Sequence, residues 1–357
     1  METSLPKLPL PGSDMNQWST DLHKQLNSML TNIYTDLFRL LGDPDTIYKR
    51  GFERVDSDSM GTITWTRATR TFSIAPKAGE NSFHFWSGGQ LFVKTTEESI
   101  VIPDVGGTYY IYYDTDGELV SVLNEEFDGE DFRTAAITGL CYYNKTEGTL
   151  WYAVDEQHGS IMDSATHLRL HLVEGARRIS GALIAGLVDG GTTYTNIASG
   201  LFADEDINIM TALASTHPFI YRDGAAGEWR ETAADNLCGH TVSGDTYNSW
   251  NENTGGTAWQ LTECTNSTDY VIMFFIWTNL DTNNIKKIIG QQTYASRRLA
   301  RNGIKNELTA IDLEGLPSAE STFLYAYICK RTGEVEDDGD GNSYVDLRRT
   351  KGYNLPD

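Results

Sequence analysis

Three histidines with neighbouring carboxylates are the residues of this chain that could do chemistry together. They are His158, His167 and His171, with Glu156 and Asp163. Read as a strand, residues 166–172 place His167, Arg169 and His171 on one face, because side chains alternate along a strand. Two imidazoles on one face can ligate a transition metal, above all where copies of a chain meet at an axis.

A polar interface is the competing interpretation of the same residues. The guanidinium of Arg169 would repel a cation bound between His167 and His171. We therefore predict no bound metal and no other cofactor. The residues assigned to a polar interface, hydrogen-bonded to carboxylates, are His158, His167, Arg169 and His171. A metal near His167 and His171 is left as the alternative.

A second acidic segment has part of the spacing of a calcium-binding loop. Asp338, Asp340 and Asn342 are spaced as the first ligands of such a loop. Ser343 then stands where a Gly is needed, and Arg349 stands where the bidentate Glu belongs. We predict a solvated hairpin tip here.

Enzymatic chemistry has little support in the sequence. There is no GxSxG nucleophile elbow and no Cys–His pair in a recognisable catalytic frame. Fifty acidic residues always offer carboxylate pairs, so such pairs do not indicate a glycosidase. Trp229, Trp250 and Trp259 could stack on sugars, but Trp in such chains usually belongs to a core or an interface. We predict that the protein is not an enzyme.

The segment from Gly106 to His171 contains the strands that must position the histidines. Tyr109 to Tyr113 carries bulky side chains on both faces of one strand, and Asp116-Gly117 follows as a tight hairpin turn. Residues 138–143 and 149–154 repeat the strand pattern around a second turn. A sheet with bulky residues on both faces needs cover on each side, from another sheet or from another copy of the molecule.

This segment resembles a module of tail-fibre, baseplate and related structural proteins of tailed bacteriophages. The resemblance covers roughly Phe72 to Leu187 and consists of several short pieces in the right order. The matching residues are Ile111 to Gly117, Asp155, Glu156, His158, Gly159, Met162, Asp163, Thr166, His167, Leu170, His171, Gly175, Ala176 and Arg177. The resemblance implies a virion component that works by assembly and contact.

The composition indicates a β-rich chain that does not bind nucleic acid. Thirty-three Gly in 357 residues indicate many turns. A net charge of −22 opposes binding to a phosphate backbone. The four Cys show no CxxC spacing, and Cys141 and Cys329 lie in apolar strand patterns as free core thiols. The longest apolar run, Tyr270 to Trp277, is too short to span a bilayer, so we predict no membrane insertion.

A long helix is predicted near the N-terminus, between a proline-containing leader and Gly42. Its apolar stripe consists of Met15, Trp18, Leu22, Leu26, Met29, Ile33, Leu37 and Leu40. The spacing is an eleven-residue repeat, so the stripe stays straight or coils gently right-handed. It could pack on the sheets of its own chain. We favour self-association as a three-helix stalk, although two strands and three strands are not separated by this pattern.

The predicted fold class is mainly β, with a long N-terminal α-helix followed by two antiparallel β-sandwich domains. The segments are an extended leader over 1–12, the helix for oligomerisation or attachment over 13–42, a polar connector over 43–60, and β domains over 61–212 and 213–357. Within these domains we predict a helical link from Asp204 to Thr211, a hairpin over residues 218–231 and a helix from Tyr294 to Ile304.

The resemblance implies a virion protein of the phage tail, synthesised in the host cytoplasm, and the apolar stripe favours a homotrimer. Its partners would be copies of itself and other tail or baseplate proteins, contacted through the N-terminal region. Whether it is a tail fibre, a baseplate part or a head-attached fibre is left open. The alternative is a receptor-binding protein that binds or degrades host surface glycans.

Overall fold

A computed structural model describes residues 49–52, 60–127, 129–160, 166–167, 170–171, 175–204, 207–279, 284–316, 320–337 and 342–348. The chain from Lys49 onward forms one compact unit. This unit is mainly β, as predicted, with several sheets and short helices. The predicted leader and helix of residues 1–42, including the whole apolar stripe from Met15 to Leu40, lie outside the described residues.

The strands are mostly five to ten residues long and are joined by short turns. In chain order they are β1 (Gly51–Phe52), β2 (Gly61–Thr66), β3 (Thr71–Pro76), β4 (Phe83–Ser87), β5 (Gln90–Lys94), β6 (Glu98–Val101), β7 (Gly107–Tyr113), β8 (Leu119–Leu123), β9 (Ala136–Asn144), β10 (Thr149–Asp155), β11 (Arg177–Gly181), β12 (Ile184–Ala185), β13 (Asn196–Ile197), β14 (Gly200–Asp204), β15 (Ile207–Thr211), β16 (Phe219–Asp223), β17 (Glu228–Glu231), β18 (Ser249–Gly255), β19 (Ala258–Glu263), β20 (Tyr270–Thr278), β21 (Ile285–Tyr294), β22 (Ser321–Lys330), β23 (Val335–Glu336) and β24 (Val345–Asp346). The helices with described bounds are α1 (Gly129–Thr134) and α2 (Arg297–Ala310).

The strands pair almost entirely antiparallel. The sheets have the orders β1-β4-β5, β2-β3-β6, β10-β9-β7-β8, β11-β14-β15, β12-β13, β18-β19 and β17-β16-β21-β20-β22-β23, with β24 also paired to β22. The pair β16 and β21 is parallel, which departs from the predicted all-antiparallel arrangement. A parallel pair requires a long crossover, and here the chain between the two strands supplies the β18-β19 hairpin.

The four-stranded sheet β10-β9-β7-β8 is covered on both faces by the same chain. Tyr109, Ile111 and Tyr113 of β7 pack into an aromatic core with the strands that precede them. Leu140 and Tyr142 of β9 pack on the opposite side with residues of the seven-stranded sheet. The predicted Asp116-Gly117 hairpin is confirmed, because β7 and β8 pair across it and Gly117 has φ of 76°. The sequence indicated that each face of this sheet must be covered, and the same chain covers both faces.

The seven-stranded sheet is the apolar centre of the second half of the chain. β20 alternates Val271, Met273 and Phe275 toward one core with Ile272 and Phe274 toward the other. This alternation follows from the period of two along a strand, and both faces are apolar because both are covered. All four cysteines are free and buried, which confirms the prediction for Cys141 and Cys329.

α2 packs on one face of this sheet, against β20, β21 and β22. Its N-cap is Ser296, whose hydroxyl accepts a hydrogen bond from the backbone N–H of Leu299. The inward face of the helix carries Ala300, Ile304 and Leu308. The helix predicted from Tyr294 to Ile304 is therefore correct in place but shifted, because Tyr294 ends β21 and the apolar face continues to Leu308.

Two segments differ from the local structure that the sequence suggested. The segment from Asp204 to Thr211, predicted as a helical link, contains the end of β14 and the strand β15. The polar connector predicted over 43–60 contains β1, whose Phe52 is fully buried and lies 6.0 Å from Phe85 between ring centroids. Burial of the Phe52 ring stabilises this short strand, although the neighbouring residues are mostly charged and do not suggest a strand.

The described residues also share their cores across the predicted domain boundary at residues 212 and 213. Leu140 and Val154 pack with Ile220, and Phe202 packs with Trp277. The aromatic core around Phe72 and Tyr109 draws its buried residues from the first half alone. The two halves therefore meet through apolar contacts rather than through a linker.

Candidate functional site

Three buried carboxylates from distant parts of the chain meet at one point. Glu156, Asp204 and Glu320 are 3%, 0% and 1% exposed, respectively. One carboxylate oxygen from each lies within 4.8 Å of the other two. We call Glu156, Asp204 and Glu320 the buried acidic cluster. Burial of three neighbouring carboxylates is costly unless other groups offset their charge, so the cluster is the candidate functional site.

Strand ends bring the three residues together. Glu156 follows β10, Asp204 ends β14 and Glu320 precedes β22. Phe202 of β14 stacks on Trp277 of β20, with ring centroids 4.4 Å apart and an interplanar angle of 2°. This stacking holds the end of β14 beside the end of β20.

Asn279 connects these strand ends through hydrogen bonds. It follows β20, and its backbone N–H donates to the carbonyl oxygen of Glu320 at 3.0 Å. Its side-chain Nδ2 donates to Oδ2 of Asp204 at 2.7 Å and reaches the carbonyl oxygen of Asp155 at 3.4 Å. Asn279 is itself buried, so these bonds form away from water and fix the geometry of the cluster.

The predicted histidines surround the buried acidic cluster. Nε2 of His158 lies 2.9 Å from Oε2 of Glu156, and Nδ1 of His171 lies 3.0 Å from Oε1 of Glu320. The ring of His167 lies 4.3 Å from that of His158 and 6.2 Å from that of His171, between centroids. The three histidines therefore share one site with carboxylates beside them, while the side chain of Arg169 lies outside the described residues.

The strand predicted for residues 166–172 is wrong where the structure describes it. Thr166 and His167 have α-helical backbone, and Leu170 and His171 have π-helical backbone. His167 and His171 still approach one site, since their ring centroids lie 6.2 Å apart. The sequence analysis therefore placed His167 and His171 close together, but it did so from the two-residue period of a strand, which the described residues do not form.

The partners of the histidines indicate their protonation. The guanidinium of Arg50 is hydrogen-bonded to Nδ1 of His167. Arg can only donate, so Nδ1 of His167 accepts and its proton is on Nε2, which makes this imidazole neutral. At His158 the carboxylate of Glu156 accepts, so Nε2 of His158 carries a proton. These hydrogen bonds orient the carboxylate of Glu156 and fix the ring of His167.

A second buried polar group lies around Lys287 of β21. The ammonium donates to Oδ1 of Asp235 at 2.6 Å and to the carbonyl oxygen of Leu237 at 2.9 Å, and it lies 3.8 Å from the ring centroid of Phe219. Burial lowers the pKa of Lys287, and the hydrogen bond that its ammonium donates to Asp235 opposes that shift. Burial and the nearby Lys287 lower the pKa of His217 to about 4. The group ties β21 to the segment before Cys238.

A third buried polar group is Glu307 on α2. Its Oε1 accepts from the backbone N–H of Gln291 at 2.7 Å, and its Oε2 accepts from the hydroxyl of Tyr294 at 2.9 Å. Burial raises the pKa of Glu307 to about 7, although the hydrogen bonds from Tyr294 and Gln291 act in the opposite direction. The carboxyl fastens the helix to β21.

The tryptophans considered for sugar contact do not form an exposed platform. Trp229 is buried and donates from Nε1 to the carbonyl oxygen of Glu314 at 2.8 Å. Trp259 is buried beneath the guanidinium of Arg222, 5.1 Å from its ring centroid. Trp250 is half-buried against the core of the seven-stranded sheet. Asp338 and Asp340 of the calcium-like segment lie outside the described residues.

Sequence reasoning found Glu156 and the histidines but missed Asp204, Asn279 and Glu320. Each missed residue is a polar side chain next to an apolar strand, at positions 204, 279 and 320. Polar residues at strand ends are common, and only the pairing of the strands shows which of them meet.

No family model, curated protein or solved structure matches this chain. Within the described part of the chain, no helix combines the length and the apolar character needed to cross a membrane.

Proposed function

We propose that this protein is a structural component of a tailed-bacteriophage virion that acts by self-association and contact, as a homotrimeric fibre or baseplate part. In this proposal the predicted helix of residues 13–42 serves oligomerisation or attachment, and the β-sandwich regions predicted over 61–212 and 213–357 supply further contact surfaces. The particle's tail or baseplate proteins are contacted through the N-terminal region.

The observation that carries the proposal is an exposed apolar surface on the sheet β11-β14-β15 and its neighbours. We call it the outer apolar face; its members are Ile179, Leu183, Leu201, Met210 and Leu213. Met210 is 69% exposed and pairs across the strands with Leu201, and Leu213 is 61% exposed. The opposite side of the same strands is buried, as at Phe202 and Ile197.

The outer apolar face draws its residues from β11, β14, β15 and the segments next to them. Ile179 lies at the irregular step in the β11-β14 pairing, beside Leu201. Leu183 and Leu213 precede Ile184 and Ala214, which both pair with Ile197, so antiparallel register places the two leucines on the side opposite buried Ile197. Contiguous apolar patches of this kind mark contact sites more often than scattered apolar residues do.

The charge of the chain favours an apolar contact between copies. Each copy carries a net charge of −22, so copies repel one another wherever acidic surfaces approach. The members of the outer apolar face carry no charge, so contact there avoids this repulsion. A second copy of this chain is therefore the occupant that we propose for the face.

Absolute mass in solution tests the proposal. We expect a species of about three times the chain mass of 39.8 kDa. Met210→Asp with Leu213→Asp should lower the mass or weaken the assembly, because each adds a charge to an apolar contact. Val93→Asp is the matched control, since it places the same charge on an exposed strand residue of another sheet.

The stalk is tested separately with Leu26→Asp and Ile33→Asp. Loss of trimers in this variant supports the predicted helix as the assembly element. A single species at the chain mass for the unmodified protein refutes the proposal. A glycan array and a reducing-sugar assay on the same sample test the rival class, and binding or turnover of a glycan would favour a receptor-binding protein instead.

A further inference from the structure

We infer that the buried acidic cluster binds one hard divalent cation, best matched by Ca²⁺, through carboxylate oxygens of Glu156, Asp204 and Glu320. The inference is independent of the proposed virion role. It rests on the donor set, on the distances within the cluster and on the state of Glu320.

The donor set is of the oxygen type. Three carboxylates meet with one oxygen each within 4.8 Å of the others. Ca²⁺ binds oxygens at about 2.3–2.6 Å, so two ligands of one ion can be up to about 5 Å apart. Carboxylates favour hard cations over the softer metals that select thiolates. The separations therefore accommodate one ion without movement of the strands.

Glu320 supplies an observation independent of the mere presence of acidic residues. It is almost fully buried, and neither carboxylate oxygen accepts a hydrogen bond from any residue that the structure describes. Oε1 lies 3.0 Å from Nδ1 of His171, and this contact leaves Oε2 directed at no described donor. A buried carboxylate oxygen with no donor loses its hydration without compensation, which a bound cation would restore.

The surroundings resemble the outer shell of a metal site. His158 contacts Glu156 at 2.9 Å, and Nδ2 of Asn279 contacts Asp204 at 2.7 Å. Donors of this kind hold the orientation of ligating carboxylates. Because His158 is hydrogen-bonded to Glu156 and His167 to Arg50, we assign the histidines an orienting role and not a ligating one.

The cation would join parts of the chain that are otherwise held by strand-end contacts. Glu156 directly follows β10 of the four-stranded sheet, Glu320 directly precedes β22 of the seven-stranded sheet, and Asp204 ends β14. One ion would therefore join the ends of strands from three sheets, and its binding should stabilise the folded state by mass action. This is the role of a structural ion.

Calcium binding to the full-length protein tests the inference. The protein is dialysed against a chelator, then titrated with CaCl₂ in a calorimeter, and calcium per chain is measured after equilibrium dialysis. We expect one Ca²⁺ per chain and a rise of roughly 2–5 °C in the midpoint of thermal unfolding at saturating Ca²⁺.

Glu320→Gln keeps the shape of the side chain and removes its charge. We expect it to weaken Ca²⁺ binding by at least about tenfold and to abolish the thermal shift. Glu125→Gln is the control. Glu125 is exposed in the turn after β8, and the substitution removes the same charge as Glu320→Gln does. Asp204→Asn serves as the second ligand variant.

Three results would overturn the inference. One is an absence of bound calcium in the unmodified protein at millimolar CaCl₂, a measurement that needs no variant to fold. Another is binding of Zn²⁺ with no binding of Ca²⁺, which would assign the site to the histidines. The last is unchanged calcium binding in Glu320→Gln and Asp204→Asn.

Discussion

Glu307→Gln should stabilise the protein increasingly as the pH rises. The side chain is buried between α2 and β21, and burial raises the pKa of Glu307 from 4.5 to about 7 in the folded state. The folded protein therefore holds a proton there that the unfolded chain releases above about pH 4.5. Stability falls as pH rises through the window from 4.5 to 7, and above pH 7 the full cost of a buried carboxylate remains.

The magnitude follows from the size of the pKa shift. Each pKa unit corresponds to about 1.4 kcal/mol, so a shift from 4.5 to about 7 amounts to about 3 kcal/mol at pH 8. At pH 5 less than about 1 kcal/mol of that cost has developed. Glutamine keeps the acceptor for the N–H of Gln291 and carries no charge, so Glu307→Gln should lose this pH dependence.

Urea denaturation between pH 5 and pH 8 measures the effect. We expect the free energy of unfolding of Glu307→Gln to exceed that of the unmodified protein by about 2–3 kcal/mol more at pH 8 than at pH 5. Glu125→Gln, at an exposed position, should follow the unmodified protein. Tyr294→Phe removes a hydrogen bond that lowers the pKa of Glu307, so its stability should begin to level off at higher pH. Parallel pH profiles for Glu307→Gln and the unmodified protein would refute the reasoning.

Three further perturbations have defined outcomes. Asp235→Ala should lower the free energy of unfolding by about 3 kcal/mol, which is more than the loss expected for Lys287→Met. The first variant leaves the buried ammonium of Lys287 without its carboxylate, whereas in the second Asp235 keeps access to water. Equal losses of the two variants in urea denaturation would contradict this. Gly290→Ala should destabilise by about 2 kcal/mol or more, since a Cβ there would lie 2.1 Å from the carbonyl oxygen of Ile272, while Gly106→Ala, with its nearest atom at 3.4 Å, should be tolerated in the same thermal assay. Native protein should not react with a thiol reagent until it unfolds, because all four cysteines are buried and burial raises the pKa of each thiol; rapid reaction of one thiol without loss of structure would show that a core is open.

Local patterns predicted the hairpins and the central strands well. The predicted run Tyr270 to Trp277 is β20, and the hairpin predicted over residues 218–231 is β16 and β17. These elements carry their information within ten residues, as apolar alternation bounded by Gly turns. Gly224 and Gly227, for example, both have positive φ in the turn of that hairpin.

Short segments whose structure depends on distant partners were predicted poorly. β15 was expected to be helical, yet it pairs with β14 through the register of Leu201 with Met210. The segment around His167 was expected to be a strand, yet it is helical where the structure describes it. In both segments five to seven residues satisfy either period, so tertiary contacts decide between helix and strand.

The candidate site could be predicted only in part for the same reason. Glu156 and the histidines were found because they are neighbours in sequence. Asp204 and Glu320 join them only because β14 and β20 end where β22 begins, which no local spacing encodes. The sequence thus indicated the polar character of the site but not the acidic centre.

Because one chain covers both faces of the four-stranded sheet, neither half of the compact unit can melt alone. A fragment that ends at residue 212 would lack Ile220, Ile272 and Phe274. Leu140 and Tyr142 would then be exposed to water on that face of the sheet. Such a fragment would precipitate or be digested rather than persist as a module. Heat should therefore disassemble this unit in a single cooperative step, and a pulling force should meet one mechanical block.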